Sequence, residues 1–92
     1  MSRKPSSVAD WEHGRRLGLL IAAGRMQQQQ SAPDLAREAM VAIDTVRSLE
    51  NGRVAMPAFL TIARLADALG MSLDELHARA QPEAGPAGLI LQ

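Results

Sequence analysis

Residues 31–52, S-A-P-D-L-A-R-E-A-M-V-A-I-D-T-V-R-S-L-E-N-G, restrict the fold more than any other part of the chain. Leu35, Ala39, Val41, Val46 and Leu49 recur at helical spacing on one side of two short segments. Ser31 is an N-cap residue, Pro33 sits in a first turn where its missing N–H does no harm, and Asp34 stands three residues beyond the cap. Asn51-Gly52 ends the second segment. The pattern predicts a helix over about 32–39, a tight turn, and a second helix over about 43–50, which is a helix-turn-helix.

The rest of the chain must cover that pair with little material. A length of 92 residues supports one small domain, and aromatics make up 2% against 47% apolar residues in all. The core is therefore built from Leu, Ile, Val, Ala and Met, which suits packed helices, and the expected fold is an all-α, compact five-helix bundle. With no cysteine, and only His13 and His77 as imidazoles, no metal or cofactor is expected. The longest apolar run, Leu17 to Ala23, is broken by Gly18 and too short to span a bilayer, and Met1-Ser2-Arg3-Lys4 leads into no signal-peptide core.

In chain order, residues 1–6 form a basic arm expected to be mobile, residues 7–80 the domain, and residues 81–92 a flexible Pro- and Gly-rich tail. Ser7 and Asp10 have capping-box spacing and should open the first helix. That helix carries Trp11, Gly14, Leu17, Gly18 and Ile21 on one face. Each glycine costs it about 1 kcal/mol relative to alanine, so the glycine face should admit a second backbone, from this chain or from a partner. Gln27 to Gln30 are read as a solvated link. Pro57 should open the fourth helix, with Phe59, Leu60, Ile62, Ala63, Leu65, Ala66 and Leu69 as its core stripe. Gly70 ends it, and Ser72 with Glu75 forms a second capping box for the fifth, which carries Leu73 and Leu76.

The wording of two stretches carries a resemblance. Val41, Thr45, Val46 and Leu49-Glu50-Asn51-Gly52, together with L-A-D-A-L-G-M-S-L-D-E-L from Leu65 to Leu76, resemble the Cro/C1-type (Xre) helix-turn-helix family of phage repressors and bacterial regulators. The likeness extends from about Leu17 to Ala78. It implies a lambda-repressor-like DNA-binding fold whose third helix enters the major groove of double-stranded operator DNA. It further implies a homodimer formed through the C-terminal helices, transcription regulation in a bacterial cytoplasm, and a salt bridge between Arg25 and Glu50. Two positions depart from the family pattern. Ala32 stands where a phosphate-binding glutamine is common, and Met40 where a left-handed glycine is usual. The helix also begins upstream of the family's first helix, so Trp11 is an addition.

With Val46 and Leu49 inward, Ile43, Asp44, Arg47 and Ser48 face outward, and Thr45 lies at the margin. Arg47 suits guanine or a phosphate, Ser48 a base edge, Ile43 a thymine methyl and Asp44 a cytosine amino group. Equally, Asp44 and Arg47 are three apart and can pair with each other in water. Arg53 follows, and then the apolar Val54, Ala55 and Met56. The whole chain has zero net charge, with four arginines balancing four acidic residues over 25–53, whereas duplex binders normally carry a positive excess. That balance supports an alternative: a helix-turn-helix that has lost DNA binding and regulates through a protein partner such as a transcription activator, in an antiactivator-like role. Its contact patch would be Val54, Ala55 and Met56 with the terminal Leu89, Ile90 and Leu91. No catalytic residues and no small-molecule substrate are evident. Asp74, Glu75 and His77 on a capped first turn serve the helix dipole, and no enzyme activity is expected.

Overall fold

A computed structural model describes residues 6–81 of the chain. Residues 1–5 of the expected arm and 82–92 of the expected tail, including Leu89, Ile90 and Leu91, lie outside the described residues. Five helices follow in order: α1 (Val8–Gln27), α2 (Ala32–Ala39), α3 (Ile43–Glu50), α4 (Phe59–Leu69) and α5 (Leu73–Ala80). The bounds of α2 and α3 agree with the sequence expectation. Ser7 caps α1 in a complete capping box, its hydroxyl accepting from Asp10 N at 3.1 Å while the Asp10 carboxylate accepts from Ser7 N at 3.1 Å. Ser31 and Ser72 cap α2 and α5 by accepting from Asp34 N and Glu75 N, but only Ser7 has the reciprocal bond that completes a box.

α1 is the long strut, packing on α3 and α5 and touching α4, while α2 lies against α3 and α4. The core is aliphatic: Ile21, Leu35, Val46, Leu49, Leu65 and Leu76 are its largest fully buried side chains. Each such residue contributes about 1.5–3 kcal/mol of burial, so a core without rings still suffices for a small domain.

The glycine face of α1 packs within the chain. A Cβ on Gly18 would fall on the carbonyl oxygen of Leu49, and one on Gly14 on the carbonyl oxygen of Val54. The backbone at the end of α3 and in the following loop thus lies directly against the backbone of α1. Gly24 differs, because its nearest neighbour would be the Met71 sulfur at 3.2 Å, the end of a flexible side chain.

Four expectations are corrected. Trp11 is 46% exposed, because the buried row of α1 runs through Gly14, Leu17, Gly18 and Ile21 and the indole stands to one side of it. Phe59 and Leu60 are 74% and 57% exposed: Phe59, the first residue of α4, only borders a groove with His13, Met56 and Leu73, and Leu60 is off the buried stripe of Ile62, Leu65, Ala66 and Leu69. Pro57 precedes α4 rather than opening it, since Ala58 is the N-cap. The glutamine link is structural, with Gln28 Nε2 donating to Leu69 O at 2.7 Å and Gln30 Nε2 to Glu38 Oε1 at 2.6 Å.

The two kinds of glycine give opposite expected outcomes. Gly18→Ala should cost more than about 3 kcal/mol in urea unfolding, because backbone blocks the added methyl. Gly24→Ala should be neutral or stabilising by up to about 1 kcal/mol, since the helix gains propensity and the Met71 side chain can yield.

Candidate nucleic-acid interface

The α2–turn–α3 unit is held from both sides. Val46 and Leu49 are fully buried beneath α3, and Leu35, Ala36 and Ala39 anchor α2. Between them Met40 adopts φ 61° and ψ 44°, the left-handed conformation that closes α2, and its N–H bonds back to Ala36 and Arg37 carbonyls. A methionine thus takes the conformation that glycine takes most readily, at a cost of about 1–2 kcal/mol. Its side chain is 75% exposed and recovers little of that. Arg64 of α4 donates to the Met40 carbonyl at 3.3 Å, a contact between distant segments that helical spacing did not signal.

The far end of α3 is clamped to α1. Arg25 Nε and Nη2 donate to the two Glu50 carboxylate oxygens at 2.8 and 2.9 Å, a two-point pair, and Arg25 Nη1 donates to Gln30 O at 2.8 Å. Both side chains are largely buried, at 16% and 12% exposure. The Glu50 hydrogen bonds raise the Arg25 pKa above its ordinary value against the opposing effect of burial. Removing one partner would strand a charge at a cost of about 3 kcal/mol.

This frame sets what α3 presents. Asp44 and Arg47 are exposed and Thr45 and Ser48 half-buried. Among the described residues no ion pair involves Asp44 or Arg47, so the expected local pairing of those two is not formed. Arg53 is also exposed, its N–H bonded to Ser48 O at 2.9 Å, which fixes the loop's departure from the helix. Ile43 is a correction: it is half-buried and packs against the edge of the core rather than standing free. Ala55 is another, at 7% exposure, because its backbone lies against Gly14; of the expected apolar patch, Met56 remains outside at 70% and Val54 half-buried.

At the start of α2, Asp34 is held below the usual carboxylate range, first by its hydrogen bonds with Ser31 and then by Arg37 at 2.6 Å. Arg37 is therefore already engaged, while Arg47 and Arg53 present their charges outward.

A family model described as a helix-turn-helix domain matches residues 16–79, most of the chain and all of α2 through α4. The protein belongs to the helix-turn-helix domain family, in its Xre/Cro-type class. No curated protein matches the chain. Membership makes duplex DNA the partner class associated with the α2–α3 unit, and the family is typically non-enzymatic. The match begins at residue 16, so the first half of α1 is additional to the helix-turn-helix domain.

The tertiary fold brings together the two histidines, whose ring centroids lie 5.7 Å apart edge to face. No third ligand joins them: among the described residues no group of three or more His, Cys, Asp or Glu is placed to hold a metal ion. Nor, among those residues, is any helix long and apolar enough to cross a membrane.

The strained turn gives a direct expected outcome. Met40→Gly should stabilise the domain by about 1 kcal/mol, the relief of left-handed strain exceeding the added chain entropy of glycine. Thermal unfolding checks it, with a raised Tm expected and the far-UV spectrum unchanged.

Proposed function

We propose that the protein is a transcriptional regulator of the Xre kind that reads operator DNA with α3, at its own or a neighbouring promoter and as a dimer. The observation that carries this reading is Arg47: exposed, without an ion-pair partner among the described residues, and central on the outward side of the second helix of a helix-turn-helix. Arg47 and Ser48 supply hydrogen bonds to base edges, Asp44 accepts from a cytosine amino group, and Thr45 and the exposed edge of Ile43 border the contact. Arg53 and the backbone N–H of Ala32 approach the phosphates; Ala32 removes a side-chain contact, Pro33 has no N–H to offer, and the Asp34 N–H is already bonded to Ser31 Oγ.

With so few cations, binding should be modest and strongly selective for low salt. Fluorescence anisotropy with duplex fragments of the protein's own upstream region should show micromolar or tighter binding that weakens as salt rises, with a slope of about −2 to −3 per copy. Arg47→Ala should reduce affinity at least about tenfold and lower the preference for one sequence. Absence of binding at low salt and micromolar protein would retire this reading.

A second reading is favoured by a separate observation. Met56, Phe59 and Leu60 are 70%, 74% and 57% exposed on the segment after α3, beside an α2–α3 unit in which two arginines, Arg37 and Arg47, face four carboxylates, Asp34, Glu38, Asp44 and Glu50. Such a surface suits a protein partner such as a transcription activator, held inactive by contact. Here Met56→Glu should abolish capture of a transcription activator that the wild-type protein binds while leaving Tm unchanged, and Arg47→Ala should leave capture intact.

A further inference from the structure

Residues 8–15 of α1 precede the family match, yet they lie beside the exit from α3. The Arg15 side chain packs on Gly52: a Cβ added there would meet Arg15 Cγ at 3.4 Å and Arg15 Cβ at 3.8 Å. Gly52 is itself tied to α3, its N–H bonded to Leu49 O at 3.1 Å, and the next N–H, of Arg53, is bonded to Ser48 O at 2.9 Å. Gly14 against Val54 and Gly18 against Leu49 hold the α1 backbone on both sides of Arg15. The fold thus sets Arg15 at the Gly52-Arg53 corner, although thirty-seven positions separate it from Gly52 in the chain.

Charge gives that placement a use. The α2–α3 unit sets Arg37 and Arg47 against Asp34, Glu38, Asp44 and Glu50, and Arg37 is bonded to Asp34 at 2.6 Å. At the corner the balance reverses. Glu12 is one carboxylate shared by Arg15 at 2.6 Å and Arg16 at 3.6 Å, and Arg53 has no ion-pair partner among the described residues. The Arg15 side chain is 51% exposed, and an ion pair this open is weak in water and exchanges readily for another anion.

We propose that Arg15 is a contact to the DNA backbone: its guanidinium turns from Glu12 to a phosphate next to the one that Arg53 engages, so that the added half of α1 supplies positive charge that α2 and α3 lack. Phosphates recur every ~3.4 Å of axis along each strand, so two arginines on one corner meet separate charges. The planar guanidinium matches a phosphate through two parallel hydrogen bonds. Arg16, about 100° further round the helix, stays with Glu12 when Arg15 leaves, so the carboxylate keeps a partner. This role rests on the reading of α3 as a DNA-reading helix. It carries no sequence preference of its own, since a phosphate contact fixes position on the duplex rather than the identity of the bases.

Fluorescence anisotropy across a salt series tests it, with duplexes from the upstream region and of unrelated sequence. Arg15→Gln keeps the stem that lies on Gly52 and removes the charge. It should lower the slope of log affinity against log salt by about 1 per copy and weaken both kinds of duplex alike, by about five- to tenfold near ~0.1 M salt. The preference between sequences should survive in Arg15→Gln and fall in Arg47→Ala. Glu12→Gln should act in the opposite direction and tighten binding at least about twofold, which no folding defect would do. Arg79→Gln, an exposed position on α5, makes the same change in net charge and should leave the slope as it is. Helical spectrum and Tm should be unchanged in all three glutamine variants. Binding with an Arg47-dependent preference but an unaltered slope in Arg15→Gln, no tightening in Glu12→Gln, or an equal loss of slope in Arg79→Gln would each overturn the role of Arg15 while leaving the reading of α3 in place. No binding of any duplex by the wild-type protein at low salt would overturn both.

Discussion

The close approach of α1 to the end of α3 is the contact on which the rest of the structure depends. Gly14 and Gly18 let the α1 backbone meet the carbonyls of Val54 and Leu49 directly, at a separation no other residue permits. That contact places Arg25, two helical turns further along α1, opposite Glu50 at the last position of α3. A two-point ion pair then closes the gap in a largely buried setting, where good geometry decides whether desolvation is offset. The glycines cost α1 helix propensity, and burial of Leu17, Ile21 and Leu49 compensates.

Fixing α3 by its ends leaves its middle free. The helix is only eight residues long and its Ala42 cap makes no side-chain hydrogen bond, so it would not persist alone. Val46 and Leu49 below, Arg25 at one end and the Met40 turn at the other hold it in place, and Asp44 and Arg47 are presented without local partners among the described residues. The unit is thus held at both ends and poor in positive charge, with two arginines against four carboxylates over residues 31–52. A held frame suits recognition of either a duplex or a protein, while the shortage of cations limits the salt-dependent part of any DNA affinity.

Much of this was legible in the residues. Ser7, Ser31 and Ser72 each mark a helix start by their own short-range chemistry, and Gly52 and Gly70 mark the stops, both with positive φ. Phe59, Leu60 and Trp11 misled because apolar spacing says which side chains share a face, and not whether the bundle extends far enough to cover them. Ala55 misled in the opposite way: a small residue in a loop is buried by Gly14, forty-one positions earlier in the chain. The Arg25–Glu50 pair was expected through a family resemblance, and nothing in local spacing would have joined residues so far apart.

The sequence by itself determined the five helices, the serine caps of α1, α2 and α5 and the helix-turn-helix at 32–50, because these follow from hydrogen-bonding groups and apolar periods a few residues apart. Only the tertiary structure decided which apolar residues are core, which glycine face is occupied, and where Gln28, Gln30 and Arg64 find their partners. Those outcomes turn on how far one helix overhangs another and on contacts between segments remote in the chain, and a linear pattern carries no measure of either.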